Sequence, residues 1–426
     1  MTDPPATRAA QRLEAAAPRR PGTFAALHHR NFRLFFVGQM ISLIGTWMQR
    51  IAQAWLVLQL TNSPFLLGLV GMLQWLPVLM FSLIGGVLAD RVSKRGVIVA
   101  TQTVQMLQAF ALGGLVLAGA VRFWHVAILA LALGLASAFD IPARQAFIFE
   151  MVEGTDMMNA VALNSTIVNV ARLLGPAIAG VAIARVGMAW AFLANGASFI
   201  PVIAALLLMR VRPAQVVHAT TSVLTHLREG VAYLLRTPSA LQAIVLLAAQ
   251  SVFAMNFTLL SSVLAKDVLR AGASGFGFLM SSQGAGALMG AIAVASFSYL
   301  GPRPELLFGG ATVLGAADVV LGMTRQFPTA AAMLGIAGAS MVVFTATVNT
   351  TLQINTPDRF RGRVMAMYAL VMGGLTPVGS LVSGTLAQIW GAPAAFLVGG
   401  VIALAAVGVV ARWRVLSPEQ AVRAVD

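Results

Sequence analysis

Twelve stretches of roughly twenty apolar residues, separated by short polar breaks, recur along this chain, each about the length a bilayer core requires of a helix. Inside a membrane every backbone N–H and C=O must be satisfied within a helix or a closed barrel, so few folds remain open. The apolar residues run continuously instead of alternating one by one, which excludes an outer-membrane barrel. The expected spans are 32–60, 64–89, 96–119, 123–147, 160–184 and 188–209, then 239–264, 272–299, 304–324, 328–352, 364–388 and 393–410. The expected class is therefore an all-α membrane protein of twelve transmembrane helices.

Composition agrees with this reading. Hydrophobic residues make up 58% of the 426 and charged residues only 10%, too little polar surface for a soluble, disordered or collagen-like chain. The absence of cysteine removes disulfides, thiolate nucleophiles and thiolate-held metals. His28, His29, His125, His218 and His226 fall in expected loops or tails, so neither a metal nor another cofactor is expected within the membrane.

A net charge of +14 would suggest nucleic acid if the protein were soluble. The positions of the charges say otherwise. Of the 28 Lys and Arg, 21 lie in the two tails, the mid-chain break and the turns after spans two, four, eight and ten. Only Arg122, Arg185, Lys266, Arg270 and Arg325 lie on the opposite side, with Arg50 and Arg172 inside spans. The positive-inside rule then puts both termini in the cytoplasm of a bacterial inner-membrane protein, and no nucleic acid is expected as a partner.

The sequence divides into a disordered cytoplasmic tail (1–30), a six-helix bundle (31–209), a cytoplasmic linker (210–238), a second six-helix bundle (239–411) and a C-terminal tail (412–426). In the linker, Leu224, Leu227, Val231 and Leu234 recur at helical spacing opposite Arg228 and Arg236, predicting a basic amphipathic helix on the inner leaflet. The halves also match each other. Gly175, Gly180, Gly187, Phe192, Leu193 and Gly196 reappear, each 204 positions on, as Gly379, Gly384, Gly391, Phe396, Leu397 and Gly400. A constant offset of half the chain points to duplicated six-helix units, a transporter architecture with its site between them.

Two motifs narrow this further. The loop after span two reads Gly86-Val-Leu-Ala-Asp90-Arg91-Val-Ser93-Lys94-Arg95. Gly86 permits close helix approach, Asp90 suits a helix N-terminus, and the basic residues hold the loop at the inner surface. Span five contains Arg172-Leu-Leu-Gly175-Pro176-Ala-Ile-Ala-Gly180, a proline kink flanked by packing glycines. The loop resembles the signature of the major facilitator superfamily, and the span-five run resembles a motif of its exporters. Asn31-Phe-Arg-Leu-Phe, Gly45-Thr-Trp-Met-Gln49-Arg50, Leu60-Thr-Asn-Ser-Pro64, Asp140-Ile-Pro142-Ala-Arg144-Gln145 and Arg361-Gly-Arg363-Val-Met are similar to the branch that includes the enterobactin exporter and related secretion proteins. The resemblance implies alternating access and efflux driven by proton exchange.

Polar groups in the bilayer are costly, at least ~2.5–3.5 kcal/mol for a central charge, so they mark candidate sites. In span one Gln39, Ser42, Thr46, Gln49 and Gln53 fall at spacings of three and four, with Arg50 at their border. Such a stripe lines a cavity or bonds between helices; five residues in register favour the cavity. Asn169 and Arg172 in span five, Gln250 and Asn256 in span seven, and Asn349 in span ten are further candidates. Asp318 is the clearly intramembrane acid and the candidate for proton coupling, whereas Asp140 and Arg144 suit a cytoplasmic gate. The expected activity is secondary export of small amphipathic molecules by a monomer whose partners are its substrate, protons and membrane lipid. An importer or lysophospholipid flippase of the same fold is the alternative. An enzyme is not expected, because no paired carboxylates or histidine cluster lie in the spans. ATP-driven pumping lacks the phosphate-binding loop it would need.

Overall fold

The computed structural model describes residues 24–152, 156–209, 223–297, 301 and 303–416. Regular structure among them is helical: α1 (Arg30–Thr61), α2 (Pro64–Arg91), α3 (Lys94–Leu117), α4 (Phe123–Met151), α5 (Met157–Val186), α6 (Met188–Leu208), α7 (Val223–Arg236), α8 (Pro238–Phe253), α9 (Phe257–Val263), α10 (Gly272–Ser296), α11 (Pro304–Met323), α12 (Phe327–Asn355), α13 (Asp358–Gly374) and α14 (Thr376–Leu416). Local sequence sets the boundaries. Proline occupies the first turn of α2, α8 and α11, where its missing N–H costs nothing. Ser63 and Ser93 cap α2 and α3 by accepting from Leu66 N and Gly96 N. The negative φ of Ser93 (−58°) is open to any residue.

Ten stretches among the described residues are long and apolar enough to cross a membrane. That set omits Arg30–Thr61, whose glutamines and arginines lower its hydropathy, and counts Asp358–Trp413 as one 56-residue stretch. Within that stretch Gly391 is non-helical (φ 82°, ψ 164°), a conformation favouring glycine. Its repeat partner Gly187 adopts the same one (φ 92°, ψ 165°), so the matched glycines have matched structure. Met158, Met289 and Met323 are 83%, 69% and 71% exposed, a face tolerable against acyl chains and not against water.

Three expectations are corrected. Span seven is not one helix: α8 stops at Phe253, Asn256 sits outside helical geometry (φ −92°, ψ 41°), and α9 then runs through a π turn at Leu264–Val268. Span eleven is interrupted where Thr376-Pro377 opens α14, since proline donates no backbone hydrogen bond. The last residues of the tail expected over 1–30 are ordered from residue 24: the Ala26 N–H donates to Asn159 Oδ1, and His29 pairs with Asp156 at 3.0 Å. Residues 1–23 and the C-terminal tail from 417 lie outside the described residues, as does the linker at 210–222. The amphipathic helix α7 turns one face to protein: Glu229 pairs with Arg363 at 2.8 Å and the Tyr233 hydroxyl donates to Asn355 O.

The helices run back and forth between two ends. The near end holds the start of α1 and the finish of α14; the far end holds the turns after α1, α5 and α11 and the break at Gly391. Helix α2 packs on α14, and α5 on α10, joining the two halves. Gly68 meets Gly384 in one contact and Gly180 meets Gly277 in the other, where an added Cβ would lie about 3 Å from the facing Cα. One apolar core, including Trp55, Leu67, Leu260 and Phe276, spans both halves toward the far end. Toward the near end the cores are separate: Phe32, Phe35, Phe147 and Phe199 in one half, Leu247, Phe344, Leu352 and Val407 in the other.

Candidate functional site

Between the halves lies a cavity of about 150 Å³, walled by α1, α2, α9 and α14 and by the break before α9. Its polar wall comprises Arg50, Gln53, Gln74, Asn256, Thr258, Thr376 and Ser380, and Trp75 closes one side. The two helix interruptions, at Met255-Asn256 and at Thr376, both border it. Irregular backbone at membrane depth is tolerated where it lines such a space. Asn256 secures its break by donating from Nδ2 to Val252 O at 2.8 Å. A further void of about 120 Å³, lined by Leu79, Ser82, Leu370 and Gly373, lies between α2 and α13.

Two arginines and a tryptophan form a charged cluster at the edge of the site, of which Arg50 lines the cavity itself. The Arg50 guanidinium stands 4.6 Å from the Trp47 ring centroid and 5.8 Å from that of Trp75. Arg172 reaches the same Trp47 ring at 5.2 Å, and its Nε is buried without a hydrogen-bond partner. No carboxylate whose side chain is described lies within 4.0 Å of either guanidinium. The kink in α5 helps to place Arg172. Pro176 cannot donate to the carbonyl of Arg172, and Gly284 of α10 packs against that freed oxygen. Gly175 does the same work toward α1, where an added Cβ would collide with Trp47 Cβ.

The structure divides the α1 stripe, which corrects the reading of one cavity-facing row. Gln53 reaches the cavity. Gln49 is sealed inside the first half: its Nε2 donates to Gln108 Oε1 of α3 at 2.8 Å, and its Oε1 accepts from Asn195 of α6 at 2.7 Å. Gln39 and Ser42 are equally buried, and Thr46 donates to Ser42 O on its own helix. The physical reason is that Ser42 and Gln49 lie on the arc of α1 nearer to α6, which approaches at Gly38 and Gly45. Gln250 is likewise inside the second half, donating to Ala311 O, while Asn169 donates to Ser165 O and Asn349 accepts from Gln353. Spacing in the sequence held one more signal: Gln102, Gln105 and Gln108, each three apart in α3, are all buried, and Gln108 joins this amide core.

The acids are placed apart from the cavity. Asp140 is buried and fully engaged: Thr101 and Gln102 donate to its Oδ1, and Arg144 pairs with Oδ2 at 2.9 Å. Asp318 is buried on α11 against Gly400 of α14, with no partner for Oδ1. In the motif loop Arg95 donates to the carbonyls of Leu207 and Met209, capping α6, and Lys94 pairs with Glu150. The surroundings of Gly86 and the side chains of Asp90 and Arg91 lie outside the described residues. Trp47, Gln74, Trp75 and Ser380 are site residues that the sequence reading did not single out.

A family model described as transmembrane secretion effector matches residues 21–425. The multidrug efflux pump Tap of Mycolicibacterium fortuitum is 27% identical over 362 residues, covering 83% of this chain and 88% of that protein. The enterobactin exporter EntS of Shigella boydii is 26% identical over 370 residues, again 83% and 88%. Among solved structures, the nucleoside transporter NupG superposes with a TM-score of 0.71 at 11% identity, over 90% of this chain and 98% of that one. The sequence relatives bear out the resemblance read from the motifs; the structural likeness establishes the fold.

Proposed function

This chain belongs to the transmembrane secretion effector family of major facilitator transporters, and on that premise we propose that it is a secondary exporter of small amphipathic molecules, drug-like or siderophore-like. In this reading it is a multi-pass protein of the bacterial cytoplasmic membrane. Its twelve spans comprise α1, the ten apolar stretches, and one more because Gly391 divides the longest into two. The observation that carries the proposal is the asymmetry of the ends: the halves share one apolar core at the far end and keep separate cores at the near end, with a polar cavity between. Bodies joined at one end and parted at the other are what alternating access requires. The basic residues assign the near end to the cytoplasm, so substrate loads from inside and leaves when the far end opens. Proton exchange supplies the driving force, with Asp318 as the buried carboxylate for the proton and the Asp140–Arg144 pair in the inner gate.

An importer or a lysophospholipid flippase would use the same cavity, because rocking halves carry no built-in direction. Inverted membrane vesicles separate the readings. Energised by a pH gradient, they are expected to accumulate a fluorescent amphipath and to lose it when the gradient is collapsed. Uptake only into right-side-out vesicles would reject export, and accumulation indifferent to the gradient would reject proton exchange.

A further inference from the structure

We propose that the ligand of this cavity bears an anionic group, held by Arg50 and Arg172, with its apolar body against Trp47 and Trp75. The proposal rests on the cavity being the transport site, as argued above, and adds the charge class of the substrate. The described walls of the cavity offer guanidinium, amide and hydroxyl groups and no carboxylate. Of the membrane acids whose side chains are described, Asp140 is committed to Arg144, Thr101 and Gln102, and Asp318 to a site against α14. An arginine at membrane depth needs a compensating negative charge, and a buried cation left unpaired is destabilising. Among the described groups the compensation is partial: the π-face of Trp47, shared between the two cations, and that of Trp75 beside Arg50. The unpartnered Arg172 Nε and the cavity-facing Arg50 are planar donors suited to a carboxylate, sulfonate or phosphate. A cationic amphipath would add another positive charge to the same corner and is selected against. The anionic group belongs to a soluble aromatic acid or to an anionic lysolipid.

The test uses the purified full-length protein in detergent and two probes with one fluorophore, dansylglycine (anionic) and dansylcadaverine (cationic), followed by energy transfer from tryptophan. Dansylglycine is expected to bind at least tenfold tighter than dansylcadaverine, and Arg50→Gln or Arg172→Gln to weaken it at least tenfold. Gln53→Glu retains both arginines and places a carboxylate beside Arg50, so it is expected to weaken dansylglycine similarly even if an arginine variant fails to fold. Displacement by lysophosphatidylglycerol assigns the lipid source, and its failure to displace assigns the soluble acid; both outcomes support the charge class. Equal affinity for the two probes, preference for the cation, or dansylglycine binding indifferent to all three variants overturns the proposal. Export of dansylcadaverine but not dansylglycine by energised inverted vesicles would leave the exporter reading standing and remove this one. Arginine-dependent anion binding without accumulation of either probe would do the reverse.

Discussion

The two ends of the bundle are built from the same kinds of helix, yet they are held together differently. At the far end the halves exchange hydrogen bonds. Lys266 donates to Leu58 O and Asn62 Oδ1, both at 2.7 Å, Ser63 donates to Gln388 Oε1 at 2.7 Å, and Trp55 stacks on Phe276. At the near end the described polar contacts include Lys94 with Glu150 and Arg95 with the end of α6 inside the first half, and Glu229 of the linker helix with Arg363 of the second. The difference identifies which contacts must break for the cavity to open outward. It also separates residues whose loss shifts the equilibrium between states from those whose loss destabilises both states.

The most severe way to break the comparison is to fix the far end. Because the chain has no cysteine, Ser63→Cys with Gln388→Cys introduces a unique pair. Linking that pair with a reducible thiol cross-linker is expected to abolish transport to background, and reduction to restore it. Full transport with complete linking would show that the far end does not open.

A smaller effect is expected from Lys266→Met, which removes both cross-half bonds of that side chain. Hydrogen bonds to charged groups contribute about 1.5–3 kcal/mol each. Even the low end of that range shifts a two-state equilibrium about tenfold toward the outward-open form. An impermeant maleimide should therefore label Ala54→Cys, on the cavity wall, about tenfold faster from the outside in the Lys266→Met background. Equal labelling rates would mean that Lys266 does not help to close the far end.

Much of this organisation was legible in the sequence, because the bilayer imposes rules that side-chain patterns must obey. Helix lengths and the matched glycines Gly187 and Gly391 each follow from local chemistry. The break before α9 was not legible: Ala254-Met255-Asn256 contains neither proline nor glycine, and it is held by the Asn256 side chain donating to Val252 O. Trp47 and Trp75 read as ordinary apolar core until two arginines are seen against them. Periodicity gave the arc on which the α1 glutamines lie, but not which neighbour stands there. Gln49 and Gln53, four residues apart, thus have different fates, one inside a half and one between halves.

That division yields the mildest prediction. Gln49→Leu leaves Gln108 Oε1 and Asn195 Nδ2 without the partner that bridges them inside the first half. A buried polar group deprived of its partner costs about 1–3 kcal/mol. Since α1, α3 and α6 pack within one half, that cost falls equally on inward- and outward-open states. The variant is therefore expected to unfold at a lower temperature while its probe affinity and Ala54→Cys labelling ratio stay at wild-type values. Gln53→Leu should do the opposite, keeping the melting temperature and weakening probe binding several-fold. If Gln49→Leu instead altered affinity or labelling without loss of stability, the amide core would move with the gate, and the boundary drawn between within-half and cross-half contacts would have to be redrawn.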